Sequence, residues 1–486
     1  MSTNLQRLAT RPGEKCGLAV FALLLGLIGC SEQPRLLDGP NVVLITLESL
    51  RTDHVGAYGG ASRSRPEVPV TPGIDAFARQ ATLYEDAHAV TSWTLPSHAS
   101  LFTGLYPSAH QTDGPIDRLD DSYPTLAETL AEHGYQTAGV VSGPYLRRTH
   151  NLQQGFELYD ASISSLTDAL AHADITNPRM EAALRRFIDE ERDPERPFLL
   201  FAYFWDPHFD FIPPAPYDQM FVGPDCEAID VTDFDRSPAI HSGMSPGRLA
   251  YLLSQYAGEL RWTDDHVGRF FQLLAERGLW DDTLVILTAD HGEEFFDHGA
   301  KGHKNNVYAE TVRVPLIIKY PQQKRGRREA RLVSLVDVVP TVLDVTGAAA
   351  SFPVDGRSLR QAPGSADRSI YYELLGVQYY RGPDGSTFPR SKRWYGVRQG
   401  DFKLVWSEPG AGGEGRSYEL FDVRDDPGER VDLSAGRPER NRALERSFEE
   451  GMERARRTAK RYRRGGEATL TEEEKASLRA LGYLEP

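Results

Sequence analysis

Residues 91–104, TSWTLPSHASLFTG, hold the best-placed hydroxyl of the chain. Thr94 stands where a loop turns into a short helix, with Pro96 in the first turn. Open backbone N–H groups and the helix dipole favour an anion at such an entrance, so Thr94 is placed to touch or attack a phosphate or sulfate. Thr is also a preferred N-cap and Pro suits a first turn, so alone the segment reads first as an ordinary capped helix. Polar partners come at the ends of apolar runs: Glu48 after 41–47, Asp206 after 197–204, and Asp290 with His291 after 283–289. Attack on a tetrahedral oxyanion needs an activated oxygen and neutralisation of equatorial charge, and a divalent metal on carboxylate and imidazole ligands does both.

The elements that must position these residues are legible from periodicity. NVVLITL (41–47), QTAGVVS (136–142), PFLLFAYF (197–204) and TLVILTA (283–289) are runs of the kind that form strands buried on both faces, and VPLIIKY (314–320) reads as another. Helical patterns at 125–134, 180–191 and 248–278 alternate with them. That order predicts an α/β fold with a mostly parallel central sheet flanked by helices. Ligand crevices of such sheets lie at the carboxyl ends of the strands, where Glu48, Asp206, Asp290 and His291 fall. Beyond about residue 360, apolar and polar residues alternate around a Gly-rich turn at 410–415, predicting a small antiparallel sheet. Residues 437–464 read as an exposed helix with a basic tail, RRTAKRYRR, for which a solvated face is the first reading and contact with anionic lipid or polymer the second.

The 486 residues allow one large domain with an appendage or two domains. A formal charge of −15 argues against a nucleic-acid binder. Arg7, Arg11 and Lys15 precede a short apolar run, 17–29, that ends in Leu27-Ile28-Gly29-Cys30. This layout is a secretory signal whose end resembles a bacterial lipobox, with Cys30 as the lipid-bearing residue. Of three cysteines, Cys16 lies in that signal and Cys30 would be acylated, leaving Cys226 as the sole free thiol and no disulfide framework. The expected organisation is a signal peptide (1–29), a tether (30–39), a catalytic domain (40–362) and a C-terminal subdomain (363–486). The expected location is the bacterial envelope outside the cytoplasm, lipid-anchored on the outer membrane or periplasmic face.

VLITLESLRTDHVGAYG, the stretch through TLPSHASLFTGLYP, LTADHGEEFFDHG with GHKNNVYAETVRVPLII, and LFDVRDDPGE resemble, in this order, the signature segments of the sulfatase family of the alkaline phosphatase superfamily. The resemblance implies that fold and an ester hydrolase acting on a sulfate or phosphate ester. Carried over position by position, it implies metal ligands Glu48, Thr94, Asp290 and His291, with Ser49 where many members have another. It places Thr94 at the nucleophile, His98 at the Arg of the signature, and His208, His303 and Lys304 on the substrate, with His98, His208 and Lys304 counted in the catalytic set. Three departures carry weight. Thr94 cannot become formylglycine, His98 stands in place of the Arg, and Ser142-Gly143-Pro144 takes the place of a Lys-x-His pair. The Glu, Thr, Asp, His set resembles relatives that transfer phosphoglycerol or phosphoethanolamine through a phospho-Thr, which makes a transferase the second reading. A binding protein that kept the fold without the chemistry is the third. One divalent ion is expected, Zn²⁺ or Mn²⁺ ahead of Ca²⁺ because of the imidazole.

Overall fold

β1 (Asn41–Leu47) runs through the middle of an eight-stranded sheet, hydrogen-bonded in parallel to β5 (Phe198–Phe204) on one side and β6 (Thr283–Ala289) on the other. All three strands are apolar and buried almost end to end, as a strand covered on both faces requires. The other members are β2 (Thr82–His88), β3 (Gln136–Val141), β4 (Leu158–Asp160), β9 (Leu316–Lys319) and β10 (Arg327–Ser334), in the order β10-β2-β9-β6-β1-β5-β3-β4. A two-stranded ribbon, β7 (Glu294–Phe295) with β8 (Lys301–Gly302), follows β6. The computed structural model describes residues 39–164, 175–235, 237–350, 352–362, 368–375, 378–381, 387–390, 393–408, 415–480 and 484. The signal peptide, Cys30 and nearly all of the tether lie outside the described residues, as does most of the Gly-rich turn.

The mostly parallel sheet is as expected, with two additions. β9, foreseen at 314–320, runs antiparallel to both β6 and β2. β2 and β10 pair in parallel and had no clear signal in the sequence. β10 lies at the sheet edge, where its first half carries exposed charged side chains instead of an apolar run. Helices Leu126–Glu132, Asn177–Arg186 and Pro246–Glu276 cover the faces. The first is started by a capping box: Thr125 Oγ1 accepts from Glu128 N at 3.1 Å, and the Glu128 carboxylate accepts from Thr125 N at 2.9 Å.

The second sheet is antiparallel: β11 (Ser369–Leu374), β14 (Arg393–Gln399), β15 (Phe402–Glu408) and β16 (Ser417–Asp422), in that order. A separate hairpin joins β12 (Gln378–Arg381) and β13 (Thr387–Arg390). The charged helix is present at Pro438–Ala459, but it is not wholly exposed. Leu444, Phe448, Met452 and Ala455, spaced four, four and three apart, form one buried stripe, and Phe448 meets Trp406 edge-on at 4.6 Å. The expected boundary at 362/363 adjoins residues outside the description. On either side of it the two sheets are tied by buried polar bonds. Glu373 N donates to Val90 O at 2.9 Å, Arg368 pairs with the fully buried Asp337 at 2.6 Å, and Arg398 pairs with Asp86 at 3.0 Å.

Candidate active site

Four chain segments meet at the carboxyl edge of the main sheet. Glu48 follows β1, residues 205–208 follow β5, Asp290 and His291 follow β6, and the loop after β2 delivers the helix Thr94–Thr103. At Ser49 the backbone enters the left-handed region (φ 53°), which is uncommon for a residue with a side chain. Three bonds hold that turn: Ser49 N donates to Asp290 Oδ1 at 3.3 Å, Ser49 Oγ to Glu48 Oε1 at 2.9 Å, and Tyr256 OH to Ser49 O at 2.7 Å. The β1 and β6 carboxylates are thereby fixed relative to each other.

Thr94 is the first helical residue, with Trp93 rather than Thr94 at the N-cap position and no capping bond from the Trp93 side chain. Its hydroxyl is thus not spent on capping. Thr94 Oγ1 lies 3.3 Å from His291 Nε2 and donates toward Glu48 Oε2 at 3.5 Å. Ser97 Oγ donates to Asp290 O at 2.6 Å and clamps the first helical turn to the β6 end. His98, expected among the catalytic groups, points into this support: one ring nitrogen bonds Thr94 O at 2.9 Å and the other Thr46 Oγ1 at 3.0 Å. It holds the Thr94 backbone, 3.7 Å from Asp290.

His208 stacks on Trp205 (centroids 3.8 Å apart, 17° between planes), and its Nδ1 bonds Phe209 O at 2.6 Å. His303 lies 5.2 Å from His208 and 4.5 Å from His291, centroid to centroid. Lys304 also has left-handed backbone (φ 65°), its N–H donates to Ser92 O at 3.0 Å, and its Nζ stands 5.9 Å from the Trp93 ring. The structure therefore gathers Glu48, Thr94, Asp290, His291, His208, His303 and Lys304. Asp206 is the exception. Its carboxylate caps the start of the Asn177–Arg186 helix, accepting from Thr176 N at 2.8 Å and Asn177 N at 2.9 Å.

The electrostatics are those of a site short of positive charge. Burial would raise the Glu48 carboxyl, but His291 at 3.1 Å and the Tyr203 hydroxyl hold it well below the usual range. Asp290 is pushed well above it, first by burial and then by Glu48. Burial works against charge on His291, yet Asp290 and Glu48 raise it to about 9. Burial pushes His208 down to about 3, opposed by Glu48. Two buried atoms here have no hydrogen-bond partner, Asp290 Oδ2 and His303 Nε2. His303 Nδ1 engages the Glu293 carboxylate at 3.2 Å. Glu48, His291 and His303 can bring one ligand atom each within 4.8 Å of one another, and Asp290 Oδ2 is 3.5 Å from His291 Nε2. Buried carboxylate oxygens and imidazole nitrogens left unpaired fit a divalent cation. His303, expected only on the substrate, thus stands among the possible ligands as well.

Three contributors were not foreseen. Glu293 had a signal, two residues after His291. Tyr203 had none, since it sits inside the apolar run of β5, yet its hydroxyl donates to Glu48 Oε2. Gly143 explains how Tyr203 fits: a Cβ there would stand 2.4 Å from Tyr203 Cε1 and 2.7 Å from Trp205 Cε3. The Ser142-Gly143-Pro144 departure thus gives space to two aromatic rings. Gly143→Ala is expected to destabilise the protein by about 1–3 kcal/mol, as overpacking does, and to weaken metal binding by displacing Tyr203 from Glu48. Denaturant unfolding and metal titration check it; unchanged values in both would show that the rings give way freely.

A family model described as "Sulfatase" matches residues 40–348, and one described as "N-sulphoglucosamine sulphohydrolase, C-terminal" matches residues 295–458. A multifunctional alkaline phosphatase superfamily protein, PehA, of Trinickia caryophylli is 28% identical over 393 residues, covering 66% of this chain and 76% of that one. The phosphonate monoester hydrolase of Agrobacterium radiobacter superposes with a TM-score of 0.66 at 23% identity, over 86% of this chain and 96% of that one. A protein solved with its substrate D-glucosamine-2-N,6-O-disulfate superposes with a TM-score of 0.68 at 20% identity, over 86% and 98%.

Proposed function

The chain belongs to the sulfatase family of ester hydrolases, and from that premise we propose that it cleaves a phosphoester, a diester ahead of a sulfate, with Thr94 as nucleophile. The observation that carries the reading is the Thr94 hydroxyl, unspent on capping and set between His291 at 3.3 Å and Glu48 at 3.5 Å. Glu48, Thr94, Asp290 and His291, with His303 adjacent, would hold one Zn²⁺ or Mn²⁺. When bound, such an ion lowers the pKa of a hydroxyl and neutralises charge on the anion.

The chain's own residues do the rest. His98 and Ser97 fix the helix start so that Oγ1 of Thr94 faces the substrate. Oγ1 forms a bond to phosphorus, its proton leaves toward the adjacent carboxylate, and the ester oxygen departs with the bonding pair. Lys304 binds the non-bridging oxygens. His208, its ring 5.2 Å from that of His303, would hydrogen-bond the substrate beside the departing oxygen, which takes its proton from water. Water then opens the phospho-Thr and regenerates the hydroxyl. A sulfo-Thr lacks the elimination route that a formylglycine hydrate provides, which is why the phosphoester is favoured. Paired aryl sulfate, phosphate monoester and phosphodiester probes test this: phosphoester turnover should exceed sulfate turnover. Efficient sulfate turnover without phosphoester activity would overturn it.

We also propose export and lipid attachment at Cys30. Among the described residues no helix is long and apolar enough to cross a membrane, so membrane attachment rests on the N-terminal segment. Cys30→Ala should yield an unacylated protein released from the membrane fraction, read by intact mass and fractionation. Unchanged mass and membrane association would remove the lipoprotein reading.

A further inference from the structure

We propose that the segment 454–464, RARRTAKRYRR, is a docking strip for an anionic glycan chain. Seven of its eleven residues are cationic and none is acidic, in a chain of net charge −15. Arg456, Arg457 and Arg463 keep 64%, 60% and 76% of their side chains exposed. Two carboxylates face them: Glu453, 3.8 Å from Arg456 and 3.5 Å from Arg457, and Asp120, 3.2 Å from Arg463. Complementing the helix C-terminus accounts for Arg456 and Arg457 in its last turn. It does not account for Arg461, Arg463 and Arg464, which follow the helix end at Ala459.

The strip is held in place beyond the helix. Tyr462 packs on the buried Tyr123 at 4.6 Å, Arg463 N donates to Ser122 Oγ at 2.9 Å, and Arg118 N donates to Gly466 O at 3.2 Å. A Cβ on Gly465 would collide with Arg118 O at 1.8 Å, so backbone seats directly on backbone there. Continuous packing links this ledge to the active site. Trp93, next to Thr94, meets Tyr145 edge-on at 5.5 Å, Tyr145 lies 5.1 Å from His150, and His150 Nδ1 bonds Asp117 O at 2.8 Å.

Cations in a row suit repeated anionic groups. A bilayer is the poorer match, because surface-bound segments add apolar insertion to charge. The exposed large hydrophobic residues among those described, Leu158, Ile175 and Val431, all lie outside the strip. Arg456 and Arg464 also border a cavity of about 1030 Å³ whose other walls include Asp113, Glu373, Glu408 and Glu449, so the anion contact is placed on the open side of the strip and not in that cavity.

The test uses the full chain with heparin as the probe. Wild type should bind at low salt. The variant Lys460→Gln/Arg461→Gln/Arg463→Gln/Arg464→Gln should bind at least tenfold more weakly, with a slope of log affinity against log salt smaller by about 3, as loss of four counterion-releasing contacts requires. Its turnover of a small aryl ester should be unchanged, which also shows that it folds. A second variant, Arg461→Lys/Arg463→Lys/Arg464→Lys, should keep heparin binding. Equal binding by wild type and the Gln variant, no binding by wild type, or binding to phosphatidylglycerol vesicles but not heparin would each overturn the proposal. Binding depends on no step at Thr94, so Thr94→Ala should bind heparin as wild type does, and failure of the reaction reading would leave the strip standing.

Discussion

Thr94→Ala is expected to lower kcat/KM by about 10³–10⁴-fold or more while the protein keeps most of its metal, because removing a covalent nucleophile removes a whole step rather than one contact. Metal should persist because Glu48, Asp290 and His291 remain, locked by Ser49 and the β1 and β6 ends. The fold should persist too, since Thr94 caps nothing and the helix start is held by Ser97 and His98. Thr94→Ser restores the hydroxyl and should recover part of the activity, with losses from a rotamer no longer restricted by the β-branch. Rapid-quench mass spectrometry of wild type should find a phosphate on the peptide containing Thr94. Full activity in Thr94→Ala, or a quenched peptide without modification under multiple turnover, would mean that Thr94 only lines the site.

How much of this was legible depends on what each residue needed in order to signal. β1, β5 and β6 are buried on both faces, so their composition alone marks them, and the residues that follow them mark the crevice. β10 is an edge strand whose exposed half is charged, which erases the apolar pattern. Asp206 and Asp290 gave the same signal, an acid just after a buried strand, and met different fates. Asp206 found the free N–H groups of a helix start, while Asp290 found Glu48 and His291. The acid after a strand does not by itself distinguish the two; the histidine directly after Asp290, within a segment that resembles the family signature, does. Tyr203 was invisible for a related reason. An aromatic in an apolar run is normally core, and its hydroxyl matters here only because Gly143 lets the ring approach Glu48.

Asp290→Ala should cost both the metal and the activity, and the reason is visible in the charge balance. Glu48 and Asp290 share a fully buried space with His291, whose charge burial opposes, and Asp290 Oδ2 has no hydrogen-bond partner, standing 3.5 Å from His291 Nε2. An unpaired buried carboxylate oxygen is unfavourable unless something cationic satisfies it. In metal-free protein, losing that charge relieves repulsion with Glu48, whereas the lost Oδ1 bonds from Ser49 N at 3.3 Å and His291 N at 3.0 Å work the other way. Asp290→Asn separates the two effects, because it keeps an Oδ1 acceptor and removes only the charge. Both variants should therefore melt close to metal-free wild type. Wild type alone should gain stability on loading, by about 4 kcal/mol at a free ion concentration a thousandfold above Kd. Elemental analysis of active wild type should give about one Zn²⁺ or Mn²⁺ per chain, as carboxylate with imidazole favours. Calcium alone in active protein would overturn the choice of ion. Undiminished metal in both Asp290 variants would instead move the site to Glu48, His291 and His303, which can bring one ligand atom each within 4.8 Å of one another.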